Sequence, residues 1–340
     1  METADDRVLL TGVSGFLARH IAVRLLEAGW HVRGSVRSPG MAETVRATLR
    51  DRGLPVDRLE FCHADLGEDA GWDAAAANCG YVIHTATAFP LRQPRDRFAL
   101  VPIARGGTLR VVEAAKRAGV ARMVLTSSVA AIGYGHGSAR AELTEADWSN
   151  VDSPSISPYA VSKTLAEKAA WEAVAGSDLQ LTAINPAVIF GPLLDPRIGT
   201  SARIIRMMLF GHVPAVPNIA FGIVDARDVA AAHVAALTAP DVAGRRFILN
   251  AGTRSMAEIA HGLRRAFPNR SSRLPRWTLP DWTVRAAALV VPSARHLLPE
   301  LGRGATTRAS RHVEILNLEL RSPEEAAEAT AADLLRLGLV

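Results

Sequence analysis

Seven short apolar runs recur through the first 250 residues with helical periods between them, and this alternation narrows the possible folds more than any other feature. Arg7–Thr11, Trp30–Arg37, Leu59–Ala64, Tyr81–Thr85, Arg122–Ser127, Leu179–Asn185 and Arg246–Asn250 all have strand length. Leu17, Ile21 and Leu25 follow the first run at i, i+4 and i+8, on a helix that closes at Gly29. Further helical stretches cover Gly107–Ala118, Tyr159–Ala175 and Asp228–Leu237. The runs are nearly continuous in apolar residues rather than alternating, as expected for parallel strands covered on both faces. The expected fold class is therefore α/β, a doubly wound parallel sheet. After Asn185-Pro186 the pattern loosens. Met207–Phe210 and the proline-rich Gly211–Asn218 predict a smaller, mostly helical lobe beside the sheet. The expected division is 1–188 plus about 223–251 for the sheet domain, and about 189–222 plus 252–340 for the lobe.

Composition excludes several classes. At 340 residues with 49% hydrophobic and 21% charged, the chain can bury a large core and is neither disordered nor fibrous. Cys62 and Cys79 form neither a disulfide framework nor a metal quartet, so a reducing, cytoplasmic setting and no metal are expected. The acidic start Met1–Asp6 reverses the basic opening of a signal peptide, and no uncharged run is apolar enough to span a bilayer. The net charge is +5, but its basic residues are dispersed, and of 39 only Lys116, Lys163 and Lys168 are lysines. That reads as a solvated arginine-rich surface rather than a nucleic-acid patch.

The first run ends in Thr11-Gly12-Val13-Ser14-Gly15-Phe16-Leu17-Ala18. Gly12 permits a tight turn, Gly15 a close approach of backbone to a pyrophosphate, and Ala18 a helix lying near the sheet. The N–H groups of the helix start, at Phe16 and Leu17, face the phosphates. With strand before and helix after, this predicts a dinucleotide site beginning at Thr11. NAD sites place Asp or Glu at the end of the second strand for the ribose 2′-hydroxyl. Here that position reads Gly34-Ser35-Val36-Arg37-Ser38, without a carboxylate, so NADP(H) is expected, with Arg37 on the 2′-phosphate. Asp65, after the third strand, is expected either at the adenine or as a helix N-cap. Thr85, Ala86 and Thr87 end the fourth strand on the edge where ligands bind in such sheets.

Tyr159 and Lys163 stand four residues apart on one helix face. With three tyrosines and three lysines in the chain, that spacing arises by chance roughly 0.03 times. A cation beside a phenol favours phenolate, so Lys163 is expected to lower the Tyr159 pKa. Tyr159 would then exchange a proton with a carbonyl oxygen as hydride moves. A second donor must polarise that oxygen. Thr126-Ser127-Ser128 ends the fifth strand, and Ser128 is the first choice, with Ser127 the alternative. Thr126 is expected at the cofactor.

On these residues the chain resembles the extended short-chain dehydrogenase/reductases, and within them the dihydroflavonol-reductase-like aldehyde and ketone reductases. The likeness runs from residue 7 to about 250 through Thr11–Ala18, Val36-Arg37, Ala64-Asp65-Leu66, Gly107-Thr108-Leu109, Thr126–Ser128, Tyr159–Lys163 and Asn185-Pro186…Gly191-Pro192. It implies a Rossmann-type sheet, a Ser128–Tyr159–Lys163 triad, cofactor contacts at Leu66, Pro186 and Val188, and a C-terminal lobe that shapes the substrate pocket. Two departures bear on substrate. Cinnamoyl-CoA reductases carry Asn-Trp-Tyr-Cys-Tyr where this chain has Ile156–Ala160, and plant dihydroflavonol reductases place Asn where it has Gly133. The sequence is more similar to microbial carbonyl reductases.

Phe89, Tyr134, Met207, Met208 and Phe210 are the expected substrate-pocket residues. The leading expectation is an NADPH-dependent carbonyl reductase acting on a small aldehyde, ketone or alcohol, with a second copy of the chain as the one macromolecular partner in view. The alternatives are a nucleotide-sugar epimerase or dehydratase holding NAD, and a non-enzymatic NADP-binding redox sensor.

Overall fold

A computed structural model describes residues 6–87, 94–136, 142–211, 213–290, 298, 300–301, 306–307 and 312–340. The chain begins β1 (Arg7–Thr11), α1 (Phe16–Glu27), β2 (His31–Val36), α2 (Pro39–Arg50), β3 (Leu59–His63), α3 (Trp72–Ala76), β4 (Tyr81–His84) and α4 (Val101–Arg117). It continues through β5 (Arg122–Thr126), β6 (Glu142–Leu143), α5 (Pro158–Val174), β7 (Gln180–Pro186), β8 (Val188–Phe190), α6 (Ala202–Phe210), β9 (Ala215–Pro217) and β10 (Ala220–Asp225). It ends with α7 (Ala226–Thr238), β11 (Arg246–Leu249), β12 (Gly252–Ser255), α8 (Met256–Ala266), β13 (Trp277–Leu279), α9 (Asp281–Val290), β14 (Thr306–Thr307), α10 (His312–Leu316) and α11 (Pro323–Arg336).

The seven apolar runs form a single parallel sheet in the order β11–β7–β5–β4–β1–β2–β3. Helices α1 and α7 pack together on one face, α4 and α5 on the other. The strands read as continuous apolar runs because both faces are covered. Val8 and Leu10 join the core under α1 and α7, while Leu9 joins the core under α3 and α4. Consecutive strands diverge from β1 in opposite directions, so the carboxyl ends of β1 and β4 leave a crevice between them.

The lobe has its own core. Phe190, Ile205, Met208, Leu209, Ile223, Ile259, Leu263 and Leu334 bury one another among α6, α8 and α11. A three-stranded sheet, β12–β10–β8, closes it. Strand β10 runs across the boundary expected near 223 and pairs with β8 and β12 as one strand of this small sheet. Leu316, at the end of α10, returns to the core under α1 and α7. The lobe and sheet domain are thus interleaved more than a division by sequence suggests.

Candidate active site

A cleft of about 2100 Å3 runs along the carboxyl edge of the sheet and under the lobe. Its first half is built by the turns after β1, β2, β3 and β4. Gly12 adopts φ +65°, and a Cβ there would lie 3.1 Å from Ala86 Cα, so only glycine lets this turn close against the end of β4. The Gly12 N–H donates to Ser35 Oγ at 2.9 Å, tying the turn to β2. Helix α1 then starts at Phe16 with no acidic residue in its first turn, leaving its positive end and free N–H groups to the cleft. Gly12, Gly15, Phe16, Leu17, Arg37, Asp65, Leu66, Thr85, Ala86 and Thr87 all line this half, as do Ser14 and Ser35. Gly107 on α4 faces Leu66 so closely that a Cβ would fall 2.7 Å from the Leu66 Cβ, which seats Leu66 at the edge of the cleft. Arg37 is exposed and has no hydrogen-bonding partner or counter-ion among the described residues.

Two expectations change here. Thr11 does not line the cleft: it is fully buried. Its hydroxyl accepts from the Thr85 and Ala86 N–H groups at 3.1 and 3.0 Å, so its own proton goes to His84 Nδ1 at 2.8 Å. It latches β1 to the end of β4 instead of touching a ligand. Asp65 is not a helix N-cap, because α3 begins only at Trp72 behind Gly71. One of its oxygens accepts from Gly67 N–H in a local turn, while the residue still borders the cleft.

The catalytic candidates meet at the middle of the cleft. Ser157 caps α5, accepting from Ala160 N–H at 3.2 Å, and Pro158 occupies the first helical position. Tyr159 is thereby fixed in the first turn, with Lys163 one turn on. The Tyr159 phenol is hydrogen-bonded to the Ser128 side chain. The Lys163 ammonium donates to the Thr126 carbonyl at 2.9 Å. Ser127 turns away and donates its hydroxyl to Glu167 at 2.5 Å, so the serine pair left open by the sequence resolves with Ser128 facing the phenol. Thr126 borders the cleft, but its hydroxyl is spent on His233 at 2.7 Å.

The electrostatics correct a further expectation. Burial pushes the Tyr159 phenol up, and the Ser128 hydrogen bond only partly offsets this. Lys163 points at the Thr126 carbonyl and does not depress the phenol in this arrangement. Burial brings the Lys163 ammonium down to about 8, against the opposing pull of Glu167. The phenol therefore holds its proton, as a group that donates to a carbonyl oxygen must.

The second half of the cleft is lined by Pro186–Ile189, Gly199, Thr200, Ser201 and Ile204 from the lobe side, and by Pro94–Arg97, Tyr134 and Ile156 opposite. Pro186, Val188 and Tyr134 are among these lining residues; Tyr134 is held through its backbone by Ser149 and Asn150. Met207, Met208 and Phe210 do not line it. On α6, Ile205, Met208 and Leu209 point into the lobe core, and the 207 and 210 positions face outward. Ile204 faces the cleft instead, a helix-phase detail that no local signal gives. Phe89 lies outside the described residues.

The model of the family described as NAD dependent epimerase/dehydratase matches residues 8–252. The chain belongs to that family. It is an oxidoreductase of the extended short-chain dehydrogenase/reductase type. It is 34% identical over 271 residues to cinnamoyl-CoA reductase CAD2 of Medicago truncatula, covering 77% of this chain and 81% of that protein. It is 34% identical over 304 residues to ketoreductase azaE of Aspergillus niger, covering 83% and 88%. The yeast methylglyoxal/isovaleraldehyde reductase Gre2, crystallised with NADPH, superposes with a TM-score of 0.81 at 26% identity, covering 98% of this chain and 100% of that one. No helix among the described residues is long and apolar enough to cross a membrane.

Proposed function

We propose that this member of the family is an NADPH-dependent carbonyl reductase that converts a small aldehyde or ketone to its alcohol, and the reverse. The observation that carries this reading is the meeting of Ser128, Tyr159 and Lys163 midway along the same cleft whose first half is a glycine turn at a helix N-terminus. The residues fit the cofactor: Gly12 and Gly15 leave room for a pyrophosphate, α1 offers N–H groups, and Arg37, at the end of β2, has no partner among the described residues and is free to meet a 2′-phosphate. NADPH, when bound, supplies the hydride. The Ser128 hydroxyl holds and polarises the carbonyl oxygen, and Tyr159, protonated and beside it, gives up the phenolic proton as that oxygen gains charge. Lys163, charged below about pH 8, returns a proton to the phenolate left behind and is itself reprotonated from solvent. Pro186, Val188, Ile189 and Ile204 offer the reacting carbon an apolar wall.

The relatives named for carbonyl reduction support the same chemistry, and an arginine in place of a carboxylate after β2 supports NADPH over NADH. A panel of aliphatic and aromatic aldehydes and ketones, followed by NADPH absorbance with NADH in parallel, tests it. Turnover with NADPH on at least one carbonyl is expected. NAD carried through purification, together with no turnover on any carbonyl, would replace this reading with that of a nucleotide-sugar epimerase.

A further inference from the structure

Behind the reacting face lies a charged cluster that the chemistry above does not use. Glu167 sits one turn beyond Lys163 and two beyond Tyr159 on α5, with its carboxylate fully buried. Five hydrogen bonds converge on it. Oε2 accepts from Ser127 at 2.5 Å, Asn185 at 2.9 Å and Arg246 Nη2 at 3.2 Å. Oε1 accepts from Arg246 Nε at 2.6 Å and Trp171 at 3.3 Å. Arg246, on the edge strand β11, is itself pinned: its Nη1 donates to the Glu145 and Asp147 carbonyls and its guanidinium lies 3.8 Å over the Trp148 ring. The Asn185 amide also donates to the Ser128 carbonyl at 3.1 Å. Through Ser127 and Asn185 the one carboxylate grips the strand end on both sides of Ser128. Glu167 and Lys163 further border a common small pocket of about 10 Å3, with Ser127, Thr126, Thr108 and His84.

We propose that Glu167 is a positioning residue for this reaction: braced by Arg246, it fixes the Ser127–Ser128 strand end and supplies the counter-charge that keeps Lys163 protonated at neutral pH. The inference rests on the carbonyl-reductase reading for its catalytic consequence, but not for its structural part. The groups facing Lys163 can be named from each element. Glu167 and Tyr159 come from α5, the Thr126 carbonyl from β5, His84 from β4 and Thr108 from α4. Of these only Glu167 is anionic. His84 is neutral, because burial and Lys163 itself hold its pKa down to about 3. Buried between Lys163 and Arg246, Glu167 is, among the described residues, the one negative charge that stands against both cations.

The chain has only three lysines, so 13C labelling of the lysine ε-carbons reads Lys163 directly, with Lys163→Arg to assign it. Glu167→Gln keeps the shape and removes the charge. It should lower the Lys163 titration midpoint by roughly one pH unit or more. Glu167→Asp, which keeps the charge, should restore most of that shift. With a substrate in hand, the alkaline limb of kcat/KM should move down with the midpoint in the Gln variant. A folded Gln variant with an unchanged midpoint, or activity lost equally at every pH, overturns the proposal. If the Gln variant fails to fold, the wild-type titration decides. A midpoint above about 7 upholds a charged Lys163, and one below it refutes the proposal. The NMR arm needs no turnover, so a failed search for a carbonyl substrate leaves it standing.

Discussion

The two halves of the cleft are made differently. The sheet-side half is set by backbone: four strand ends in register, a glycine turn closed on Ala86, and the Thr11–His84–Thr85–Ala86 latch. The lobe-side half is set by side chains that happen to project from β8, α6 and the chain between them. A wall of backbone is tied to the parallel ladder and changes only if the fold changes. A wall of side chains can be rebuilt by substitution without disturbing the sheet, so on the proposed reading the cofactor half is fixed by the fold and the substrate half is free to vary.

The sharpest way to break this contrast is at the midpoint. Tyr159→Phe should cut turnover by roughly 10²–10⁴-fold while leaving NADPH affinity near wild type, measured by stopped-time assays and fluorescence titration. Turnover within a few-fold of wild type would remove Tyr159 as the acid. On the lobe side, Met208→Ala should cost about 2–5 kcal/mol of stability in a denaturant melt, with little change in KM, because its side chain fills the lobe core. Ile204→Ala should do the reverse, altering KM across the carbonyl panel at little cost in stability. Equal KM effects from both would mean that the wall is drawn wrongly. On the sheet side, Arg37→Asp should weaken NADPH by about 1.5–3 kcal/mol and leave NADH nearly unaffected, as read from the ratio of their Kd values. An equal loss for both cofactors would move the 2′-phosphate elsewhere.

A further effect, on the junction of the two halves, concerns acid. His84 and His233 are fully buried at strand ends and on α7, and His20 donates toward the Pro192 carbonyl where α1 meets the lobe. Burial holds them at about 3, 4 and 4 respectively, below the ordinary 6.5. The unfolded chain therefore takes up these protons first. Stability should be full above pH 6.5 and decline progressively as pH falls toward 4. A melting temperature that is flat from pH 7 to pH 4.5 would show that these rings are reached by solvent. His20→Gln should remove part of the slope by loosening only the junction between the two halves.

Much of the sheet side was legible in the sequence. All seven strands of the main sheet were expected within a residue or two, because continuous apolar runs between helical periods admit few other arrangements. The Tyr159–Lys163 spacing placed both groups on one helix face for the same local reason. What was not legible depended on partners distant in the chain. Thr11 sits within the phosphate-turn motif, yet its hydroxyl is consumed by residues 73 to 75 positions away. Glu167 reads as an ordinary helix-face charge until Arg246, 79 residues on, is brought against it. The choice between Ser127 and Ser128 turned on the same carboxylate.

By itself, then, the sequence determined the parallel sheet, the glycine turn before α1, the missing acid after β2 and the Tyr159–Lys163 pair on one helix face, since each depends on periodicity or spacing over a few residues. Tertiary structure alone decided which serine meets the phenol, which face of α6 borders the cleft and which way the buried charges shift. Those outcomes are set by burial and by hydrogen bonds between segments that the chain keeps far apart until it folds.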